Sequence, residues 1–185
     1  VALLSGGDRR GWVSARVHVG AVKGEQRREN DHGVGFAALA ARDRDPGLFK
    51  PTERTANQVA LGGFDSHNDQ RRQHDGLMRQ LDAALSAFLD DLCGTPAGDQ
   101  TIVVAFSEFG RRLSENGSRG TDHGVAGPMI VAGARTAGGL HGKHPSLAEL
   151  DAGDLVSTTD FRSVYGTVIE RWFGAIPKAK DAARL

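Results

Sequence analysis

Two short stretches of the chain place aspartate and histidine beside glycines. Asp65 and His67 alternate in GGFDSHNDQ, residues 62–70, and Asp122 is followed directly by His123 in GTDHGVAG, residues 120–127. Neutral imidazole nitrogen together with carboxylate oxygen is a ligand set that zinc or manganese accepts, whereas calcium and magnesium prefer oxygen alone. The two stretches therefore predict a metal site that draws ligands from both.

The backbone around each pair is compatible with convergence of the side chains. Residues i and i+2 of an extended segment share a face, so Asp65 and His67 are able to act together. The adjacent pair in the second stretch needs a bend, which Gly120 and Gly124 permit. His74, at the start of a predicted helix, and His144, in a loop before a proline, are reserve ligands.

The same residues also have a simpler interpretation. Aspartate and asparagine beside glycine are ordinary turn formers, and Asp65, Asn68 or Asp69 could cap the helix that follows. Asp-His-Gly-Val also occurs at Asp31 and His32, without a supporting strand, so short motifs of this kind recur by accident. From spacing alone, the metal site and the turn both stay open.

Regular apolar patterns surround these stretches. Leu77, Leu81, Leu85, Phe88 and Leu92 recur at helical spacing and predict a helix over residues 74–92. TIVVAF, residues 101–106, and PMIVAG, residues 128–133, predict buried strands of a parallel sheet. A second helix is predicted over residues 158–173. Strands and helices in alternation indicate a layered α/β fold, a mainly parallel sheet flanked by helices. The carboxyl ends of its strands would gather the candidate ligands.

The first 58 residues differ from the rest in composition. Residues 1–58 are rich in Gly, Arg and Asp and form a poorly patterned segment, in which HGVGFAALAARDRDPG, residues 32–47, predicts one short helix. Residues 59–185 carry the sharper pattern and are predicted to form the α/β domain. Because the chain starts at Val1 without an initiator methionine, we expect a fragment or a processed chain.

Charge and composition narrow the classes of partner. Lys plus Arg number 23 and Asp plus Glu number 23, so the formal net charge is zero, whereas a nucleic-acid binder normally carries a basic surplus. The apolar runs are shorter than the roughly 18 residues that a membrane span needs. Cys93 is the only cysteine, which excludes an intrachain disulfide and a cysteine-rich zinc site. We expect neither nucleic acid nor a membrane span, and the oligomeric state stays open.

Three longer motifs carry a resemblance to a known family. GGFDSHNDQ, TIVVAFSEFGRRLSENGSRGTDHG and GDLVSTTDFRSVYGTVIERWFG resemble a bacterial family of uncharacterised secreted proteins, domain of unknown function 1501, in the alkaline phosphatase and sulfatase superfamily. The resemblance covers residues 59–176. It implies the C-terminal part of an alkaline-phosphatase-like domain and a periplasmic or secreted location.

The resemblance also implies roles for individual residues. Asp65 and His67 are similar to the first ligand pair of the superfamily, and His123 is similar to a later histidine. Glu108 stands where the superfamily often has a metal-binding aspartate. The implied metal ligands are Asp65, His67, Glu108, Asp122 and His123, which should converge at one edge of the sheet. Zinc is the expected ion, with manganese or calcium as alternatives.

Two departures separate this chain from the superfamily pattern. Phe109 stands where the superfamily often has histidine, and because phenylalanine binds no metal, a complete two-metal centre is in doubt. The superfamily nucleophile lies upstream of the first ligand pair. Ser5, Ser14, Thr52 and Thr55 lack a strand-to-helix setting there, so the nucleophile is not identified.

Two functions follow from these observations. The first is a metal-dependent hydrolase of phosphate or sulfate esters, acting on a small anionic ester or a surface glycan. Arg111 and Arg112 could hold an anionic oxygen by bidentate hydrogen bonds, and the alternative for both residues is plain helix-surface charge. The second is a non-catalytic secreted binding or structural remnant that keeps the metal loops for folding.

Overall fold

The computed structural model describes residues 15–21, 33–40 and 55–174. These ranges contain ten strands and two α-helices, with a 3₁₀ turn and a π-helical turn. In chain order they are β1 Ala15–Ala21, β2 Gly33–Ala40, β3 Thr55–Gly62, α1 Gln70–Leu92, the 3₁₀ turn Gly98–Gln100, β4 Thr101–Ser107, β5 Gly110–Arg111, β6 His123–Gly124, β7 Ala126–Ala132, β8 Gly139–His141, β9 Leu150–Asp151, β10 Asp154–Leu155, α2 Phe161–Thr167 and the π-helical turn Val168–Trp172.

Six of the strands form one sheet in the order β3-β2-β4-β7-β1-β8. Within this sheet, of the pairings between the described strands, only that of β1 with β8 is parallel, and the other four are antiparallel. The parallel arrangement predicted for the strands at residues 101–106 and 128–133 is therefore wrong. The apolar runs predict burial on both faces, which Thr101–Ala105 show, but they do not encode strand direction.

The connection between β4 and β7 explains the antiparallel pairing. Parallel neighbours need a crossover of a dozen or more residues, usually a helix. The connection over residues 108–125 is long enough, but it contains no helix; it consists of the short antiparallel pair β5–β6 and its loop, and it leads back into β7. The chain therefore returns along β4 in the opposite direction. An alkaline-phosphatase-like fold stays a prediction.

One helix packs on each face of this sheet. Leu81 and Leu85 of α1 pack on the face that carries Val103. Val164 and Val168, from α2 and the π-helical turn, pack on the face that carries Val104. Successive residues of a strand point to opposite faces, so β4 contributes to both cores.

The long helix α1 begins four residues before the predicted start, at Gln70, and ends at Leu92. Leu77, Leu81, Leu85 and Leu89 make its core contact. These positions are spaced by four, so the contact follows the inclined i±4 row of a helix surface. That row passes beside Phe88, which is 41% exposed and was expected in the buried stripe.

The second predicted helix forms in two parts. Asp160 caps α2 by accepting a hydrogen bond from the backbone N–H of Arg162, and residues 168–172 continue the helix with π geometry. Tyr165 and Trp172 pack beside the buried valines. In the described ranges, no helix combines the length and the apolarity needed to cross a membrane.

The amino-terminal segment contributes strands to the main sheet. The short helix predicted over residues 32–47 is wrong for Gly33–Ala40, which form β2 between β3 and β4. A short apolar run does not reveal by periodicity whether it is strand or helix, so pairing on both sides decides. Residues 41–47 lie outside the described residues, and the boundary at residue 58 stays a prediction.

Candidate metal centre

The loop after β3 presents Asp65 at the tip of a tight turn. Gly63 adopts a φ of 96°, which favours glycine. The backbone N–H of Ser66 then donates to Phe64 O at 2.9 Å. Phe64 and Ser66 are buried, while Asp65 and His67 are exposed. Alternate residues are thus anchored in the core, and the residues between them project outward.

The second loop is shaped by the side chain of Asn116. Its Oδ1 accepts hydrogen bonds from the backbone N–H groups of Ser118 at 2.9 Å and Gly120 at 3.1 Å. Its own backbone N–H donates to Gly120 O at 2.8 Å. Asparagine commonly stabilises turns in this way. The loop leads into β6, which brings His123 beside Arg111 of β5.

The two loops dock at the start of α1. The backbone N–H groups of Asp69 and Gln70 donate to the carbonyls of Ser118 and Arg119, both at 3.1 Å. Asp69 occupies the N-cap position without a side-chain capping bond, and its carboxylate lies 2.7 Å from Nη2 of Arg119. Carbonyls of the neighbouring loop thus satisfy N–H groups that a helix start leaves open.

The guanidinium of Arg111 forms hydrogen bonds with both loops. It donates from Nη1 to Thr121 O at 2.7 Å and from Nη2 to Phe64 O at 2.5 Å. Burial lowers the pKa of this guanidinium, while the nearby carboxylates of Asp65 and Asp122 act to raise it. The charge of Arg111 therefore lies close to both acidic residues of the candidate site.

Arg112, the other predicted anion-binding residue, points elsewhere. It donates from Nη2 to Ala152 O at 2.6 Å. Arg111 and Arg112 both donate hydrogen bonds from guanidinium nitrogens to backbone carbonyls. The sequence predicted either anion binding or plain surface charge, and neither prediction included this structural role. Anion binding by either residue stays a prediction.

Asp65, His67 and His123 come together at the docked loops. Nε2 of His67 lies 3.0 Å from Asp65 Oδ1, and Nε2 of His123 lies 2.7 Å from the same oxygen. One ligand atom from each of the three residues lies within 4.8 Å of the other two. The three side chains are between 29% and 47% exposed, so an ion and a ligand from solvent can reach them.

Asp122 and Glu108 occupy different positions from these three. Asp122 Oδ1 lies 3.4 Å from Nδ1 of His67, the ring nitrogen that does not face Asp65. A hydrogen bond from Asn116 lowers the pKa of the Asp122 carboxyl, and His67 lowers it further. Glu108 is exposed and is outside the group of three.

Phe109 packs against one of the candidate ligands. Its ring stacks on the ring of His123, with centroids 3.8 Å apart and planes inclined by 10°. The guanidinium carbon of Arg111 lies 5.1 Å from the same phenyl centroid. The stacked phenyl ring restricts the rotation of His123 and places an apolar group beside the cluster.

The two reserve histidines make other contacts. His74 lies edge-on to Phe64, with ring centroids 5.5 Å apart. Burial lowers the pKa of His74, and the charge of Arg111 lowers it further, so the neutral ring is favoured. Nδ1 of His144 donates to Pro145 O at 2.7 Å. Neither histidine belongs to the group of three.

Asn116 is the residue that sequence reasoning missed. Besides shaping its own loop, it donates from Nδ2 to His67 O at 3.0 Å and to Asp122 Oδ1 at 3.3 Å. The Asn-Gly dipeptide at residues 116–117 is a turn signal. A turn signal predicts the loop, but it does not reveal which residues the amide contacts across 49 positions of sequence.

The donor chemistry of the cluster fits zinc. Two imidazole nitrogens and one carboxylate oxygen are borderline ligands that suit zinc better than calcium. Three protein ligands that leave a coordination position open are characteristic of catalytic zinc sites. The exposed position of the cluster is consistent with such an open coordination position.

A comparison with protein-family models covers most of the chain. A model of the family described as "Protein of unknown function (DUF1501)" matches residues 27–166. The matched range includes both loops and begins before residue 59, where the resemblance noted in the sequence begins. Searches of curated proteins and of solved structures found no match.

Proposed function

We propose that this chain, which belongs to the DUF1501 family of proteins of unknown function, is a metal-dependent hydrolase of a small anionic ester. Asp65, His67 and His123 would hold the ion, with zinc expected and manganese or calcium as alternatives. The proposal rests mainly on one observation, the convergence of their ligand atoms within 4.8 Å.

The metal would supply Lewis-acid polarisation of an ester oxygen and would lower the pKa of the attacking group. The protein residues would orient the reactants. Asp65 contributes negative charge, and the stacked ring of Phe109 restricts His123. The charge of Arg111, close to Asp65, favours an anionic substrate over a cationic one. Because Phe109 occupies the place beside His123, one metal per chain is expected.

The substrate class and the location belong to the same proposal. Phosphate and sulfate esters are the candidate substrates, either as small molecules or on a surface glycan. A periplasmic or secreted location rests on the resemblance to secreted proteins. The attacking nucleophile is not assigned to a residue of this chain.

A non-catalytic binding or structural role is the second candidate, and a specific contact favours it. Asp65 Oδ1 lies within hydrogen-bond distance of both histidine rings. The three side chains therefore also form a polar network that is closed without a metal. In that case the chain keeps the two loops because they are needed for folding, and their residues are a remnant of a metal site.

The metal content and the esterase activity of the purified chain distinguish these candidates. We expect about one zinc per chain in the wild type and metal-dependent turnover of generic phosphate or sulfate esters. Asp65→Ala should lose both. Asp82→Ala, which removes an exposed carboxylate of α1, is the matched control and should retain both.

Each alternative outcome has a defined meaning. Zinc bound without turnover would favour the non-catalytic role. A wild-type chain that takes up no zinc, manganese or calcium would rule out the metal-dependent hydrolase. Turnover that survives Asp65→Ala would place the activity elsewhere in the chain.

A further inference from the structure

We infer that Asp122 and Asn116 are positioning residues that hold His67 with Nδ1 protonated and Nε2 directed at Asp65 and His123. The inference rests on the proposed metal site and adds the residues that orient one of its ligands. It changes the role of Asp122 from a direct ligand to the acceptor that orients a ligand.

The two nitrogens of His67 face two different carboxylates. Nε2 lies 3.0 Å from Asp65 Oδ1, whereas Nδ1 lies 3.4 Å from Asp122 Oδ1. Nε2 of His123 approaches the same Asp65 oxygen. The ion site is therefore on the Nε2 side of His67, and Asp122 is on the other side of the ring.

Imidazole chemistry then assigns the proton. A neutral imidazole carries one N–H, and the other nitrogen offers its lone pair. If Nε2 of His67 is a ligand, the proton is on Nδ1, and the carboxylate of Asp122 can accept a hydrogen bond from this N–H. Metal-binding histidines usually donate their second ring N–H to a carboxylate or a carbonyl, which fixes the tautomer and the ring orientation.

Asn116 fixes the position of Asp122 relative to His67. Its Nδ2 donates to Asp122 Oδ1 at 3.3 Å and to His67 O at 3.0 Å. Its Oδ1 accepts from the N–H groups of Ser118 and Gly120. All four hydrogen-bonding positions of the amide are thus used, so a flipped amide would lose these bonds. One side chain connects the backbone of the ligand with the carboxylate that orients its ring.

Zinc affinity is the quantity that tests this arrangement. Loss of a group that hydrogen-bonds to a metal ligand typically weakens metal binding by about 10–100-fold. Asp122 is 62% exposed, so water can partly replace it, and we expect about 10-fold weaker zinc binding for Asp122→Ala by competition with a chelating dye. Asn116→Asp keeps the acceptor for its own loop, loses the donor, and should weaken zinc binding at least as much.

The control and the spectroscopic readout separate positioning from direct ligation. Asp69→Ala also removes an exposed carboxylate of the docked loops, one paired with Arg119, and should leave zinc affinity unchanged. Thermal unfolding in chelator shows that each variant is folded. With Co²⁺ in place of zinc, Asp122→Ala should keep the wild-type visible absorption bands, because the coordinating atoms do not change. Nitrogen NMR of the zinc-loaded wild type should show Nδ1–H on His67.

Several results would overturn the inference. Unchanged zinc affinity in Asp122→Ala, with normal binding by the wild type, removes the positioning role and leaves the proposed metal site intact. Altered Co²⁺ bands in that variant, or a metal-bound Nδ1 on His67, would make Asp122 a ligand or reverse the ring. A wild-type chain that binds no metal overturns both this inference and the proposed function.

Discussion

The backbones of the two loops approach each other closely at Gly120. A Cβ atom at this position would lie 2.3 Å from His67 O and 2.5 Å from the carbonyl carbon of the same residue. Backbone atoms cannot move away as easily as the end of a flexible side chain, so glycine is required for the close approach. The contact holds the backbone of a candidate ligand against the loop that carries Asp122 and His123.

Gly120→Ala should therefore destabilise the protein and loosen the candidate site. We expect a loss of about 1–3 kcal/mol in the free energy of unfolding, as for other overpacking substitutions, measured by urea denaturation. Gly117 is the matched control in the same loop, because a Cβ there meets nothing within 4 Å. Gly117→Ala should change stability by less than about 0.5 kcal/mol. Equal effects of the two substitutions would contradict the contact.

At the scale of elements, α1 attaches to the sheet by a narrow row of leucines. Leu81 is 6% exposed within the core, whereas Phe88, one row away, is 41% exposed. Leu81→Ala should lower the free energy of unfolding by about 2–5 kcal/mol, the range for buried leucine. Phe88→Ala should cost less than half of that loss. Chemical denaturation of the two variants measures the difference. A larger loss for Phe88→Ala would contradict packing of α1 through the leucine row.

The start of α2 depends on a titratable cap. Arg162 lowers the pKa of Asp160, first through its side-chain hydrogen bond and then through its backbone N–H. A carboxyl with a lowered folded pKa stabilises the protein above its unfolded pKa, about 3.9. That stabilisation is lost as the pH falls through the folded pKa. The contribution is small because the pair is exposed.

Asp160→Asn isolates this charge, because asparagine is an equally good N-cap. The wild type should be more stable than the variant at neutral pH. The difference should disappear as the pH falls below about 3.9. Urea denaturation over a pH series measures both curves. Parallel curves across this window would show that the charge of Asp160 contributes nothing to stability.

At the scale of the whole molecule, the sheet depends on strands from before residue 55. β2 lies between β3 and β4, and β1 lies between β7 and β8. A chain that starts at residue 55 would lack both strands, leaving β4 and β7 with exposed edges that favour aggregation. We expect this truncated chain to elute as aggregates in size-exclusion chromatography. A truncated monomer with wild-type urea unfolding would show that the two strands are dispensable.

Metal binding should couple to global stability, because the ligands come from segments 58 residues apart. A ligand that binds only the folded state stabilises it by about 2.7 kcal/mol at one hundred times its dissociation constant. Zinc should raise the Tm of the wild type, and a chelator should reverse the increase. Asp65→Ala should show no increase. A similar rise in that variant would indicate zinc binding at another site.

Local patterns in the sequence were sufficient for several features. The burial of residues 101–105 and the positions of α1 and α2 follow from apolar periodicity, which depends only on near neighbours. The candidates Asp65, His67 and His123 follow from residue type and spacing beside glycine. These properties depend only on short stretches of sequence, so they can be predicted without knowledge of the fold.

Tertiary structure alone decided how these pieces relate to one another. The antiparallel direction of β7, the strand at residues 33–40 and the place of Asp122 on Nδ1 of His67 all depend on contacts between distant segments. Glu108 was assigned beside the cluster by resemblance, yet it is outside the group of three. Asn116 is the clearest case, since its amide bonds two loops at once. Hydrogen bonds between distant residues form only after the chain has folded, so the local spacing of residues does not predict them.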